Sequence, residues 1–263
     1  MNTTTTVQSI AEPRSARSFP LKEAALLLIY PIGVYRLWKR KSPLWFRLLY
    51  TVLGLPVFLI GSAFLALITF AAFLPPVDFR IPGNPPRTVV NSEGNYATTF
   101  LKTGRETGGA YELVQVEIEP KGGNDWHYHK AFEEQFTVLK GTLSVGLDGK
   151  VVPVKEGETV TAPRKSLHYF KNDQDSTILI RVKVSPARGL EKSIRAAYGL
   201  TNTGQWQEGA PFPKNIWHLF LLLGYSETYL DGIPGFIQEP LVGALARVAQ
   251  WKGEDRDLQP FFR

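Results

Sequence analysis

The sequence predicts a mainly β protein, a barrel or double-sheet roll, with a transmembrane helix before it and short α-helices after it. Three observations predict this. Residues 48–77 contain no charged side chain. Residues 87–185 show repeated short apolar/polar alternation broken by Gly, Pro and Asn/Asp. Residues 187–250 change to helical character. With 263 residues and a 44% hydrophobic content, the chain can bury a real core.

The elements follow in order. Residues 1–20 are Thr/Ser-rich without an apolar period and read as a disordered cytoplasmic leader. Residues 21–43 read as a basic interfacial helix and linker. Within them Ala24–Tyr35 has 12 apolar-rich residues. That is too short to span comfortably and suits an interfacial or re-entrant helix. Arg36, Trp38, Lys39 and Arg40 suit a headgroup boundary.

Residues 44–76 read as the membrane span. The uncharged run begins at Leu48, and its helix should stop at Leu74 because Pro75-Pro76 cannot continue it. That length corresponds to roughly 40 Å of helix against about 30 Å of hydrocarbon. Pro56 is a candidate kink. A buried helix of a soluble protein is the other reading, and so long an uncharged run favours the span. It starts too late for a secretory signal peptide, and no small-residue cleavage site follows.

Charge adds an orientation. Residues 1–47 hold eight Lys or Arg and two acids, which accounts for the whole net charge of +6. The remainder is balanced, so a nucleic-acid partner is not expected. Basic residues before the span place the N-terminus in the cytoplasm and the barrel outside, in a single-pass protein. The absence of cysteine excludes disulfides and thiolate metal sites but identifies no compartment.

Residues 77–86 are a turn-rich linker, and residues 87–185 form the barrel. Val114, Val116 and Ile118 alternate with Gln115, Glu117 and Glu119, giving a strand with one buried face. Ile178, Ile180, Val182 and Val184 do the same opposite Arg181 and Lys183. Asp148-Gly149 is a two-residue hairpin signal. Eight to ten short strands are expected between residues 87 and 185.

Two of the chain's four histidines stand one residue apart, at His127 and His129. On a strand they share a face. Glu134 shares parity with Phe136 and Val138 and should point inward, whereas Glu133 should point to solvent. An inward carboxylate is costly without a partner, and two histidines with a metal cation would supply one. His168 is a third histidine between strands. Imidazoles with a carboxylate suit Fe, Mn, Ni, Cu or Zn as divalent ions. A polar cluster without metal is the alternative.

These stretches resemble the paired motifs of the cupin superfamily. His127, His129, Glu134 and Gly141 match the first motif; Gly157, Pro163, His168 and Asn172 match the second. Lys165 stands where the family usually has glycine, and Lys121 stands at another usual glycine position. The flanks TGRETGGAYELVQVEIEPKGG and RAAYGL look like one branch of small cupins with a helical tail. The resemblance implies a double-stranded β-helix, the cupin or jelly-roll barrel, with His127, His129, Glu134 and His168 as ligands of one divalent metal. Trp126, Phe136, Tyr169 and Phe170 are candidates for the pocket wall or rim. Glu134 is the candidate catalytic base.

Residues 186–263 form a C-terminal helical extension. One helix is expected to end at Gly199, and others cover residues 215–230 and 240–253. They pack on the barrel or lie on the membrane. The resemblance also allows a homodimer. His218, in an apolar helical stretch, reads as packed rather than ligating. The resulting expectation is a membrane-anchored metal cupin acting oxidatively, or as an isomerase, on a small organic molecule. The competing expectations are a non-catalytic module that binds or senses a small ligand and a structural part of a membrane assembly.

Overall fold

The computed structural model describes residues 29–40, 42–92, 96–208, 210 and 212–263. The expectations for residues 1–20 and for Ala24–Leu28 lie outside them. The described chain divides into two compact units between Leu65 and Ala66.

In the first unit, helix α1 (Tyr30–Lys39) precedes the N-terminal part of helix α2 (Leu44–Ala72). Among the described residues the short helix runs past Tyr35 and includes Arg36 and Lys39. Pro31 lies in its first turn, where a missing N–H costs nothing. Tyr30 donates its hydroxyl to the Thr51 carbonyl at 2.6 Å, and its ring occupies the space a Cβ on Gly54 would need. α1 thus packs along α2 instead of standing alone.

Helix α2 has 29 residues and includes Pro56. It is long and apolar enough to cross a membrane, and its apolar window is 0% buried. It ends two residues before Leu74, with Phe73 and Leu74 donating to the Phe70 and Ala71 carbonyls in a tightened last turn.

The second unit contains a double-stranded β-helix with C-terminal helices. Its strands are β1 (Thr88–Asn91), β2 (Tyr96–Lys102), β3 (Glu112–Ile118), β4 (His127–His129) and β5 (Glu133–Lys140). They continue as β6 (Thr142–Leu147), β7 (Lys150–Lys155), β8 (Thr159–Ala162), β9 (His168–Lys171) and β10 (Ile178–Ser185). A further strand, β11 (Thr228–Leu230), comes from the C-terminal extension. Two antiparallel sheets result, with strand orders β1-β2-β3-β10-β5-β8 and β11-β4-β9-β6-β7. Their facing sides supply one core, including Phe100, Val116, Ile118, Phe136, Leu143 and Ile180. The alternation expected in β3 and β10 is present residue by residue. Asp148 and Gly149 turn the β6–β7 hairpin with φ of 46° and 81°.

The extension comprises α3 (Leu190–Asn202), α4 (Ile216–Ser226), α5 (Gly235–Lys252) and a 3₁₀ segment, Glu254–Phe262. α3 runs through Gly199 and does not stop there. The Phe261 ring lies 2.3 Å from where a Gly199 Cβ would be, so the glycine serves close packing. The expected helix over residues 215–230 also ends early. Glu227 adopts φ 45° and closes α4, which frees Thr228–Leu230 to pair with His127–His129. A second core gathers Leu200, Leu221, Tyr225, Leu258 and Phe262. His218 is also buried, beside Asn215.

Residues 77–86 lack regular structure but are firmly held. The Asp78 N–H donates to Gln250 Oε1 at 2.9 Å, Lys192 donates to the Asp78 carbonyl at 2.7 Å, and Arg195 donates to the Pro86 carbonyl at 2.8 Å.

Candidate metal centre

His127 and His129 are the ends of β4, so the two-residue strand period turns both imidazoles into the barrel. β9 pairs antiparallel with β4 and sets His168 directly opposite His127. Glu134 reaches the same point from β5 in the other sheet, with Glu133 exposed beside it. The four side chains are 9% exposed or less. One ligand atom from each can be chosen so that all lie within 4.8 Å of one another.

Backbone contacts orient the rings. His127 Nδ1 lies 2.8 Å from the Asp125 carbonyl, His168 Nδ1 2.9 Å from Ser166, and His129 Nδ1 3.2 Å from Ser226. A carbonyl can only accept, so each Nδ1 carries the proton and donates. In a neutral ring, Nε2 then keeps its lone pair for the centre. Thr228 Oγ1, at 3.3 Å, adds a second contact to His129 Nδ1. His129 stacks on Phe132 at 4.2 Å, which fixes the ring plane.

Glu134 Oε2 lies 3.1 Å from His168 Nε2 and 3.7 Å from His129 Nε2. Burial favours the neutral form of Glu134, but His129, His168 and His127 outweigh it and hold the carboxyl below its usual range. Burial also lowers His127 and His129, the latter to about 3, so both rings are neutral at physiological pH. Burial opposes charge on His168 too. There the hydrogen bond and charge of Glu134 prevail and raise the pKa. The set therefore accepts either a proton between His168 and Glu134 or a cation bound by three Nε2 atoms and a carboxylate. Pre-oriented imidazoles with one buried carboxylate fit a divalent metal ion.

A cupin domain family model matches residues 114–181, a span that includes all four residues. The chain carries a cupin domain. An uncharacterised protein of Aquifex aeolicus (strain VF5) is 32% identical over 69 residues, 26% of this chain. This chain spans about half of that relative's length, 56%. Solved structures include KdgF from Halomonas sp., at 18% identity, covering 38% of this chain and 86% of that one, with a TM-score of 0.34. An RmlC-like cupin from Shewanella frigidimarina is 17% identical, covering 40% and 88%, with a TM-score of 0.35.

The expected pocket residues fall on two sides of the cupin barrel. Phe136 and Phe170 contact each other inside it, with the Phe136 ring 6.2 Å from His168. Trp126 and Tyr169 pack edge to face at 4.6 Å and line a separate hollow with Lys121, Asp125 and Lys171. Strand parity separates Tyr169 from His168 and Phe170. Gly146 makes room for this outer pair, since a Cβ there would lie 2.1 Å from Tyr169. Phe132 was missed, although it shares parity with Glu134. Ser226 and Thr228 were missed for a different reason: only tertiary folding brings them to His129.

Lys165 adopts φ 64° and Lys121 φ 69°. Both turns keep the left-handed conformation without glycine. Lys165 N–H donates to the His129 carbonyl at 2.8 Å, which ties that turn to the ligand strand.

Proposed function

We propose that this is a membrane-anchored cupin in which His127, His129, Glu134 and His168 hold one divalent metal ion, and that it transforms a small organic molecule by an oxidative or isomerase-type reaction. The convergence of three backbone-oriented imidazoles on one buried carboxylate carries this reading. Bound there, the metal would supply Lewis acidity or access to dioxygen chemistry.

The protein's own residues supply the rest. Glu134 is the group assigned to proton movement, at Oε2. It is an anion at neutral pH, and His168 Nε2 lies within hydrogen-bond reach at 3.1 Å. Phe132 and Phe136 flank the imidazoles and limit water around them. Retention of a small ligand without turnover is the alternative; the same shell would serve it, and Glu134 would then be a ligand only.

In this reading residues 44–76 cross the membrane, the basic residues before them stay cytoplasmic, and residues 87–185 lie outside. Residues 77–86 are the connection and residues 186–263 an extension that completes the barrel's second sheet through β11.

Elemental analysis of protein purified anaerobically, before and after supply of divalent ions, tests the centre. Near-stoichiometric metal is expected, with affinity lowered more than about 100-fold in His168→Ala, a larger effect than outer-shell changes produce. Equal metal in both proteins, or none in either, rejects the assignment.

A further inference from the structure

A second cavity, of about 510 Å³, lies away from the metal centre and includes none of its four residues. Its walls are the 79–87 segment, the turn over residues 103–109 and the start of α3. The volume is that of an ordinary small-molecule site. Gly83, Gly108 and Gly109 leave its wall open, since a Cβ on any of them would meet nothing within 4 Å.

Five arginines line it, together with the carboxylates of Glu112 and Glu191. The acids are internally compensated. Glu112 accepts from the Gly189 and Glu191 N–H groups at 3.1 and 2.9 Å, and Glu191 is paired with Arg195 at 2.8 Å. Arg87 is paired with Glu106, and Arg80 with Asp78. Arg105 and Arg188 differ. Among the described residues Arg105 hydrogen-bonds neutral groups, the Gly83 carbonyl at 2.8 Å and the Asn84 side chain, and no carboxylate. The Arg188 side chain has no hydrogen bond or ion pair among the described residues. Two guanidinium charges thus border the cavity without a carboxylate. Phe79, Ile81, Pro85 and Ala187 give the same cavity apolar wall.

From this juxtaposition we propose that the cavity binds an organic phosphate: an anionic phosphate recognised by Arg105 and Arg188, carrying an apolar segment that lies along Phe79, Ile81 and Pro85. Guanidinium groups suit phosphate oxygens because their N–H donors are planar and always charged. The ligand could be a soluble organophosphate or a phospholipid headgroup. The lining segment 79–87 follows the end of α2 closely in sequence, which brings lipid phosphate within reach when α2 is in a bilayer; that source alone rests on the anchoring reading.

The test uses the full chain in phosphate-free maltoside detergent micelles, titrated calorimetrically with octyl phosphate. Saturable binding is expected, weakened at least about tenfold in the double variant R105Q/R188Q, the scale of one lost charged contact. The charge-retaining R105K/R188K should bind between the two. Repetition in phosphatidylglycerol nanodiscs, against the phosphate-free micelles, separates the sources. Suppressed octyl phosphate binding identifies a lipid headgroup as occupant, and unchanged binding identifies a soluble organophosphate. Absence of saturable binding, or equal binding by R105Q/R188Q, overturns the proposal. Metal content of the double variant should equal that of the unaltered protein, so the outcome is independent of the metal centre.

Discussion

Two places in the second unit bury several charged or titratable groups, and they are compensated differently. On α3, Glu191, Lys192 and Arg195 are 8%, 4% and 3% exposed. Arg195 bonds Glu191 and the Pro86 carbonyl and lies over the Phe100 ring at 4.5 Å. Lys192 donates to the Asp78 carbonyl and faces the Tyr225 and Phe262 rings. Burial lowers its pKa, yet each cation has an acceptor and an aromatic face. At the candidate metal centre, three Nε2 atoms confront one carboxylate, and only His168 reaches it at hydrogen-bond distance. A compensated group clamps the chain. An under-coordinated one is prepared to take a cation. Burial alone therefore does not distinguish structure from function; the count of partners does.

The comparison can be broken first on the clamp. Arg195→Met leaves Glu191 buried without its cation and should destabilise by about 3–5 kcal/mol. The double variant Arg195→Met/Glu191→Leu should recover most of that loss. Urea denaturation in detergent measures both, and metal content per folded protein should not change. Equal losses in the single and double variants would mean that the pair is not the clamp.

A second intervention works on the centre through pH. In metal-free protein, His168 has a raised pKa, so its contribution is complete below about 6.5 and is lost as pH rises through its folded value. Glu134 has a lowered pKa, so its contribution is present above about 4.5 and is lost as pH falls through its folded value. The pair therefore stabilises most between those limits. Glu134→Gln should cost about 2 kcal/mol near pH 5.5, the scale of a charged hydrogen bond, and less as pH rises past the His168 transition. His127 and His129, lowered by burial, oppose folding as acid protonates them; the Glu134 charge partly offsets that lowering, so Glu134→Gln removes the offset and adds to the acid-side loss. Metal occupancy at fixed free ion should fall over the same descent, because protons compete for the imidazoles. A pH-independent difference between the two proteins would remove the Glu134–His168 pair from the account.

The smallest effect concerns the turn beside the ligands. Lys165 at φ 64° carries strain of about 1–2 kcal/mol, and glycine would cost about 0.5–1 kcal/mol in unfolded-state entropy. Lys165→Gly should therefore stabilise by about 0.5–1 kcal/mol without changing metal affinity. A lower denaturation midpoint would show that Lys165 makes compensating contacts.

Strand periodicity made much of this molecule legible. Val114, Val116 and Ile118 announce β3, and the parity of Glu134 announces an inward carboxylate, because a strand's side chains alternate by geometry. Gly199 misled, since a glycine that ends a helix and one that admits a neighbouring ring look alike in one dimension. Thr228–Leu230 misled as well. Three residues after an apolar helix carry no strand signal until β4 offers them a partner. Tyr169 was grouped with Phe170, although adjacent residues on a strand face opposite sides.

By itself, the sequence determined the apolar helix α2, the strand-rich span from 87 to 185 and the histidine and glutamate positions of the cupin motifs. These depend on local spacing and composition, which one dimension retains. The tertiary structure decided that the C-terminal extension adds β11 beside His127 and His129, and that Ser226 and Thr228 contact the His129 ring. It also decided that residues 79–87, 103–109 and 187–195 enclose one arginine-bordered cavity. These facts join segments from about 20 to about 110 residues apart in the chain, and such pairings depend on packing, because the hydrophobic effect is non-directional and backbone hydrogen bonding does not depend on side-chain identity.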